Sequence, residues 1–523
     1  MPLSVRVVSA RESAERDRAA IQRGTHSRVL MQRAGTAAAD EISRRYSDRL
    51  RDGAIVFTGP GNNGGDGWVV AGLLARSGTA VTVVEAVEAK SPDAVAEKSA
   101  ATSSVKSVKR MLSPGESGGA QLVIDALLGT GAAGEPRGPL ADAISRINKL
   151  HSDGARVIAL DLPSGLDATT GKHSACVVAD ATLSFGGVKR GSLLARDCCG
   201  EIVVLDIGLD EASPALEKSV GGEGAVLPWL VDDEWVHARV PTIRYDAHKG
   251  TRKHLAIIGG GKGMAGAAVL ATRGALRSGI GLVRALVAPE NVGEILSAAP
   301  SALIGHWPTD ATETSSQISK WADAVVIGPG LGNSSDTRRL VEAILADSKL
   351  PVLLDADALN VFDGDLADLG RLLRGRLALI TPHVAEFARL AKVEVKNVLD
   401  NRFDVGVELA RTLGATVLLK GSPTVLFAPE GERYVVARGT ASLGTGGSGD
   451  VLAGIAGTML AQTLDASTSA CCAAWVHGRA AELCEYVRGT TLDDVLYALP
   501  RAWNESESPL DPPVLARLPA VAR

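Results

Sequence analysis

The stretch "GPGNNGGDG" (Gly59–Gly67) holds five glycines, two asparagines and an aspartate, directly after the apolar run Ala54–Phe57. Glycine is costly to order, so such a cluster marks a place where backbone must bend sharply or come close to a ligand. The helix-like "WVVAGLLARSG" follows, which predicts a strand, a loop and a helix whose bare N–H groups face an anion. Gly59-x-Gly61-x-x-Gly64 fits the dinucleotide fingerprint, and Glu85 closes "VTVVE" where a ribose-binding acid would stand. That fingerprint does not require Asn62, Asn63 or Asp66, and a cation would explain them. "VIDALLGTG" brings Asp125, and "ALDLPSGLD" brings Asp161, Ser164 and Asp167, again at the ends of apolar runs. Asn63, Asp125 and Ser164 are all oxygen donors, a set suited to a hard cation. One full carboxylate among neutral donors is too little charge for a tight divalent site, so a monovalent ion is expected. Arg137 in "GEPRG" and Lys189 in "FGGVKRG" are available to a phosphate.

The second half has its own sharp stretch, "LGTGGSGDVLAGIAGTMLA" (Leu443–Ala461). Gly444, Gly446, Gly447 and Gly449 bare the N–H groups before a small-residue helix, an oxyanion or phosphate cradle. Asp450 stands at the mouth of that helix. An acid there is badly placed to bind phosphate but well placed to take a proton from a hydroxyl attacking phosphorus. "GGGKGMAG" opens this half but fails the P-loop pattern, since Gly263 follows Lys262 where Ser or Thr is required. "VVIGPGLG", "LLDADALN" and "LITPHVAEFARL" place a glycine turn, Asp355, Asp357 and His383 at strand ends, whereas His477 reads as a core histidine.

The elements that must position these residues alternate along the chain. Strand-like runs in the first half are Ala54–Phe57, Val81–Glu85, Leu122–Asp125, Val157–Asp161, Ala181–Phe185 and Ile202–Asp206. In the second they include His254–Ile258, Ala324–Ile327, Val352–Asp355, Leu377–Thr381, Thr416–Lys420 and Val425–Phe427. Continuous apolar strands between helices imply α/β folding around parallel sheets covered on both faces. A chain of 523 residues exceeds one ordinary core. The Pro-, Gly- and charge-rich segment 210–235 is the expected linker, with domains at 1–222 and 223–523. A net charge of −5 with 3% aromatic residues argues against a nucleic-acid surface. No apolar run approaches a membrane span. The charged N-terminus has no apolar signal core, and the six cysteines include no C-x-x-C. These features predict reduced thiols, a cytoplasmic protein, and small-molecule rather than nucleic-acid or membrane partners.

Two families account for the motif order. "LMQRAG" (Leu30–Gly35), "GPGNNGGDG", "DALLGTG", "DLPSGLD", "FGGVKRG" and "LDIGL" together resemble the NAD(P)H-hydrate epimerases over residues 1–210. Their fold is a Rossmann-like three-layer α/β/α domain. The resemblance implies a hydrate site at Asn62, Asn63, Gly64, Gly65 and Asp66, and at Gly129, Thr130, Gly131, Ala132, Ala133, Gly134 and Glu135. It also implies potassium at Asn63, Asp125 and Ser164, and Asp161 touching the nucleotide with an acid/base role. "HKG", "GGGKGMAGAA", "GPGLG", "DADALN", "TPH…E", "LKGSPT" and "GTGGSGDVLAG" resemble the NAD(P)H-hydrate dehydratase branch of the ribokinase-like fold over about residues 240–500. There the resemblance implies hydrate contacts at Ala267, Gly330, His383 and Asp450. It implies a nucleotide site at Lys420, Gly421, Ser422, Pro423, Thr424 and Gly449, with Asp450 the base. Two departures stand out. Val384 and Ala385 replace a usual Pro-Gly, and "GTASL" precedes the glycine loop in place of a "GMA"-like run. The implied activity is epimerisation of hydrated NADH or NADPH and dehydration of the S form, with ADP or ATP as co-substrate, magnesium alongside, and a homo-oligomeric assembly. A sugar or vitamin kinase fused to a nucleotide-binding scaffold is the alternative.

Overall fold

A computed structural model describes residues 4–112, 121–132, 134–209, 226–307, 316 and 318–521. The chain divides into two compact units, Ser4–Leu230 with Ser508–Val521, and Val231–Glu507. The boundary expected near Gly222 lies outside the described residues.

The first unit is built on an eight-stranded sheet. Its order is Val514–Leu518, Glu201–Leu205, Ala181–Phe185, Arg156–Leu160, Leu122–Ala126, Ala54–Thr58, Val81–Glu85 and Ser107–Lys109. Neighbouring strands are parallel except at the first pair. Side chains alternate across a strand, so one apolar run feeds two cores. Ala54 and Val56 join Trp68, Val70 and Ile42 on one face, while Ile55 and Phe57 join Ile144 and Ile147 on the other. Helices Ser27–Leu50 and Asn62–Arg76 cover the first face and Pro139–Ser152 the second. The chain runs outward from Ala54–Thr58 to one side, then returns to lay Leu122–Ala126 on the other. That reversal opens a crevice at the carboxyl ends of these two strands, the place where open α/β sheets bind ligands.

The C-terminal segment departs from the expected second domain, which ran to residue 523. Val514–Leu518 pairs antiparallel with Glu201–Leu205 and buries Val514, Ala516 and Leu518 on the first unit's sheet. A five-residue strand after a proline-rich stretch gives little local sign of which sheet it will join.

In the second unit the strands run Arg433–Val436, Thr424–Phe427, Thr416–Leu419, Ala378–Ile380, Val352–Leu354, Ala324–Ile327, His254–Ile258, Leu282–Val287 and Leu303–His306. The last two and Arg433–Val436 add to the strands read from the sequence. Pairing is parallel from Thr416–Leu419 onward and antiparallel in the hairpin before it. The small residues of helix Ser448–Thr463 have a packing reason. A Cβ on Gly454 would lie 1.9 Å from the Ala271 carbonyl oxygen, and one on Gly274 would lie 2.6 Å from that of Val451. Helix Ala265–Arg277 and helix Ser448–Thr463 therefore meet backbone to backbone. Here too the strand order reverses beside His254–Ile258, and the loops after it and after Ala324–Ile327 hydrogen-bond, Gly260 N–H to Pro329 O (2.8 Å) and Gly261 N–H to Gly330 O (2.6 Å).

Candidate active sites

The crevice of the first unit is a cavity of about 520 Å³. Gly61, Asn62, Asn63 and Asp66 line it from the glycine loop, Gly129–Ala132 from the next strand's loop, and Asp161, Phe185 and Lys189 from further along the sheet. Gly61 is the N-cap of helix Asn62–Arg76, so unpaired N–H groups face the space, as the loop sequence predicts. Gly64 and Gly65 do not line the cavity. A Cβ on Gly64 would lie 2.0 Å from Gly59 O, and one on Gly65 would strike Met31, so these glycines let the loop fold tightly beneath the ligand space. Gly134 and Glu135 are exposed and stand outside the lining, and Ala133 lies outside the described residues.

Asn63, Asp125 and Ser164 do come together. Ser164 donates its Oγ–H (2.6 Å) and backbone N–H (2.8 Å) to the Asp125 carboxylate, which also accepts the Leu127 N–H at 3.1 Å. Asn63 Nδ2 donates to the carbonyls of Leu128 (2.9 Å) and Leu160 (3.2 Å), while its Oδ1 is buried with no hydrogen-bond partner. A buried amide oxygen with no partner, on a side chain that shares the Leu128 carbonyl with Ser164, is what a cation would satisfy. Burial pushes the Asp125 carboxyl up to about 6, against the hydrogen bonds from Ser164 and Leu127 that favour its ionised form.

Asp161 is held at φ 67°, a left-handed backbone that non-glycine residues adopt at a cost and that recurs at functional sites. Its carboxylate forms an ion pair with the fully buried Lys189, whose Nζ also donates to the Phe185 carbonyl at 3.1 Å. Lys189 thus serves a carboxylate, not the phosphate its sequence context suggested, while Arg137 is exposed and stands apart from the lining. Asp66 is buried in the same wall. Burial, then Asp161 and Asp17, hold its carboxyl well above the usual carboxylate range. Asp17 itself is pushed up by burial. Asp17, Ser13 and Ser27 belong to N-terminal helices and line the cavity without having been singled out. The sequence signal for the helix of Ser13 and Asp17 is the capping box of Ser9 and Glu12, which announces a helix but not its destination. Glu85 is not a ribose acid. It is buried, accepts the Ala89 N–H at 3.1 Å and pairs with Lys98 at 2.7 Å, away from the cavity lining.

In the second unit the glycine loop ends at Gly447, φ 92°, the N-cap of helix Ser448–Thr463. Asp450 sits in its first turn, and its carboxyl is raised to about 7 by burial, then by Asp355, with Lys420 opposing. Lys420 Nζ pairs with Asp355 at 2.8 Å and lies 3.8 Å from Glu386. Burial disfavours the Lys420 charge, but Asp355 and Glu386 outweigh it and its pKa is raised. Thr381 donates to the same Asp355 oxygen at 2.8 Å. A Cβ on Gly449 would lie 3.2 Å from Lys420 Nζ, so this backbone, Lys420 and Asp450 converge. The loop Lys420–Thr424 is anchored by the buried Arg402, which donates to the Pro423 carbonyl at 3.1 Å. Gly421 has φ 154°, and a Cβ there would collide with that guanidinium. Gly330 and Ala267 are also neighbours, a Cβ on the former falling 2.8 Å from the latter's. His383 caps helix Val384–Ala391, accepting the Ala385 and Glu386 N–H groups on Nδ1 at 3.1 and 3.3 Å. The helix therefore starts cleanly at Val384, in the place of the usual proline. Thr381, Glu386 and Arg402 were not singled out from the sequence, and the first two join Asp355 around Lys420 while Arg402 holds the loop backbone.

Each unit thus presents an acid beside glycine-bared N–H groups. Two family profiles match the chain, one described as YjeF-related protein N-terminus over residues 27–191 and one as NAD(P)H-hydrate dehydratase over residues 255–501. The bifunctional NAD(P)H-hydrate repair enzyme of Escherichia coli K12 is 35% identical, covering 91% of this chain and 89% of its own. That of Moorella thermoacetica is 32% identical over 98% of this chain and 99% of its own. The chain belongs to the bifunctional NAD(P)H-hydrate repair enzymes. Among solved structures, the ADP/ATP-dependent NAD(P)H-hydrate dehydratase of Bacillus subtilis, co-crystallised with ATP and magnesium, is 29% identical with a TM-score of 0.47, covering 53% of this chain and 97% of that one. Membership in the family replaces the kinase-with-scaffold alternative. Among the described residues no helix is long and apolar enough to cross a membrane.

Proposed function

We propose that the first unit interconverts the R and S hydrates of NADH and NADPH at C6, and that the second dehydrates the S hydrate with ADP or ATP. The observation that carries the second half is Asp450, a carboxyl poised at about 7 in the first turn of a glycine-led helix. The C6 hydroxyl is a poor leaving group. Asp450 takes its proton as the oxygen attacks the terminal phosphorus of the nucleotide. The bond from that phosphorus to the nucleotide's bridging oxygen breaks, and the nucleotide departs one phosphate shorter. The ring nitrogen lone pair then expels phosphate from C6, and loss of a C5 proton restores the reduced nicotinamide. Lys420, held by Asp355, supplies positive charge beside the Gly449 backbone, and the loop to Thr424 borders the nucleotide. Magnesium bound with the nucleotide would neutralise the phosphate charge.

Epimerisation at C6 requires a bond at that carbon to break and re-form, with one proton taken and one returned. The Asp161–Lys189 pair stands on the sheet side of the cavity and Asp66 at the glycine loop. Asp161 is assigned the proton from the hydroxyl, and Asp66, whose carboxyl burial holds well above the usual carboxylate range, the return. Potassium at Asn63, Asp125 and Ser164 would tie the Asn63 loop to the strand ends beneath. A decisive experiment supplies mixed hydrates with ADP and follows absorbance of the reduced nicotinamide. Wild type should repair the whole mixture, Asp161→Asn only its S fraction, and Asp450→Asn neither. Repair that proceeds without nucleotide would count against the dehydratase chemistry.

A further inference from the structure

Outside the cavity lining of the first unit, Cys176, Cys198 and His173 bring their ligand atoms within 4.8 Å of one another. Cys176 and Cys198 are buried and not joined in a disulfide, while His173 is exposed. The Cys176 Sγ–H donates to Cys198 Sγ at 3.1 Å, and His173 Nε2 lies 3.6 Å from Cys198 Sγ. The histidine's tautomer is settled by its other nitrogen. Nδ1 is 3.1 Å from the Gly171 carbonyl, which can only accept, so Nδ1 carries the proton and Nε2 turns a lone pair toward the sulfurs. An imidazole held through one nitrogen by a backbone carbonyl, with the other free, is the usual arrangement of a metal-ligating histidine.

We infer that Cys176, Cys198 and His173 form a site for a thiophilic divalent cation of the zinc type, with a fourth position open on the exposed side. Bonds of about 2.3 Å to sulfur and about 2.0 Å to nitrogen at tetrahedral angles separate S from N by about 3.5 Å and S from S by about 3.8 Å. The Cys198–His173 separation of 3.6 Å lies within about 0.1 Å of the first value. The sulfurs must part by about 0.7 Å, which a modest side-chain rotation supplies. On binding, both thiol protons leave to solvent, two S–metal bonds and one N–metal bond form, and nothing is oxidised. The backbone around the cluster is already pinned. The Cys176 carbonyl accepts from Asn148 Nδ2 and the Cys198 carbonyl from the Ala179 N–H, both at 2.9 Å. Val177 N–H donates to the Ser164 carbonyl at 2.9 Å, so a metal here would staple the segment that carries Ser164 to helix Arg196–Cys199.

The test uses the untagged full chain, reduced and stripped with a chelator, and titrates it with cadmium while recording the sulfur-to-metal charge-transfer absorbance. One cadmium per chain is expected, with a rise in unfolding temperature. Cys176→Ser/Cys198→Ser should abolish both, whereas Cys471→Ser/Cys472→Ser should retain both. His173→Ala, an exposed change that folding tolerates, should weaken binding at least about tenfold, since even a lost outer-shell partner costs that much. Absence of the band at excess cadmium, its survival in the Cys176/Cys198 double variant, or unaltered affinity in His173→Ala would overturn the site. So would a Cys176–Cys198 disulfide in protein kept under reductant.

Discussion

Replacing Asp450 by Asn separates a catalytic base from a helix-end charge, because the two roles move rate and stability in opposite directions. Gly447, not Asp450, is the N-cap, and it makes no side-chain cap bond. Asp450 as a mere first-turn acid would contribute about 0.3–1 kcal/mol through the helix dipole, and Asn would lose that much. As the base, its loss should slow dehydration by about 10²–10⁴-fold, or ~3–5 kcal/mol of barrier. The stability sign is the reverse of a cap's. The folded carboxyl titrates at about 7 against an ordinary 3.8, so the folded state holds its proton more tightly than the unfolded one. Its contribution is present below the unfolded value and is lost as pH rises to about 7, at most about 4 kcal/mol. Asn carries no charge to bury, so at pH 8 the variant should melt at or above the wild-type temperature. The pH profile gives a third readout. About a tenth of the carboxyl is ionised at pH 6 and nine-tenths at pH 8, so wild-type dehydration should climb about tenfold to a plateau while Asp450→Asn stays flat. The assay is purified S hydrate with ADP, followed by absorbance, alongside calorimetric nucleotide binding and R-to-S epimerisation. A variant that dehydrates near the wild-type rate, or whose lost activity tracks a lowered melting temperature, refutes the assignment.

Potassium should stimulate epimerisation, and Asp125→Ala should remove the response. Because the cation needs the ionised carboxyl, the response should also fade as pH drops through about 6, read from initial rates across a potassium titration. Lys189→Met should cost epimerisation about 10²-fold or more while leaving ADP-dependent use of the S hydrate intact, measured on each epimer separately. Ending the chain at Glu507 should destabilise the first unit by up to about 3–6 kcal/mol, the burial of Val514 and Leu518. Thermal unfolding should show that loss, while the dehydratase rate per folded molecule stays as before.

Local chemistry was readable in the chain wherever a function demands glycine. Gly59, Gly64 and Gly447 are legible because few other residues permit their backbone approach or positive φ, and beside them stand a buried strand at Ala54–Thr58 and a small-residue helix at Ser448–Thr463. Asn63, Asp125 and Ser164 were readable as a set because each ends or follows such a strand, and parallel strands bring their carboxyl ends to one edge. Direction and partnership were not readable. Nothing next to Lys189 in sequence says that it will bury itself against Asp161, 28 residues away. Glu85 has the spacing of a ribose acid, yet Lys98 claims it, because the helix that follows its strand returns over that strand's end. Asp17 reaches the cavity from the N-terminal helix, and Asp355 sets the charge around Asp450 from the end of strand Val352–Leu354. Val514–Leu518 joins a sheet whose nearest strand is some 300 residues earlier. Spacing along a chain encodes backbone geometry over a turn or two, so it determined the loops, the strands and the kind of chemistry. Ion pairs, raised carboxyl pKa values and sheet edges depend on which distant groups share a buried volume, and only the tertiary structure decided those.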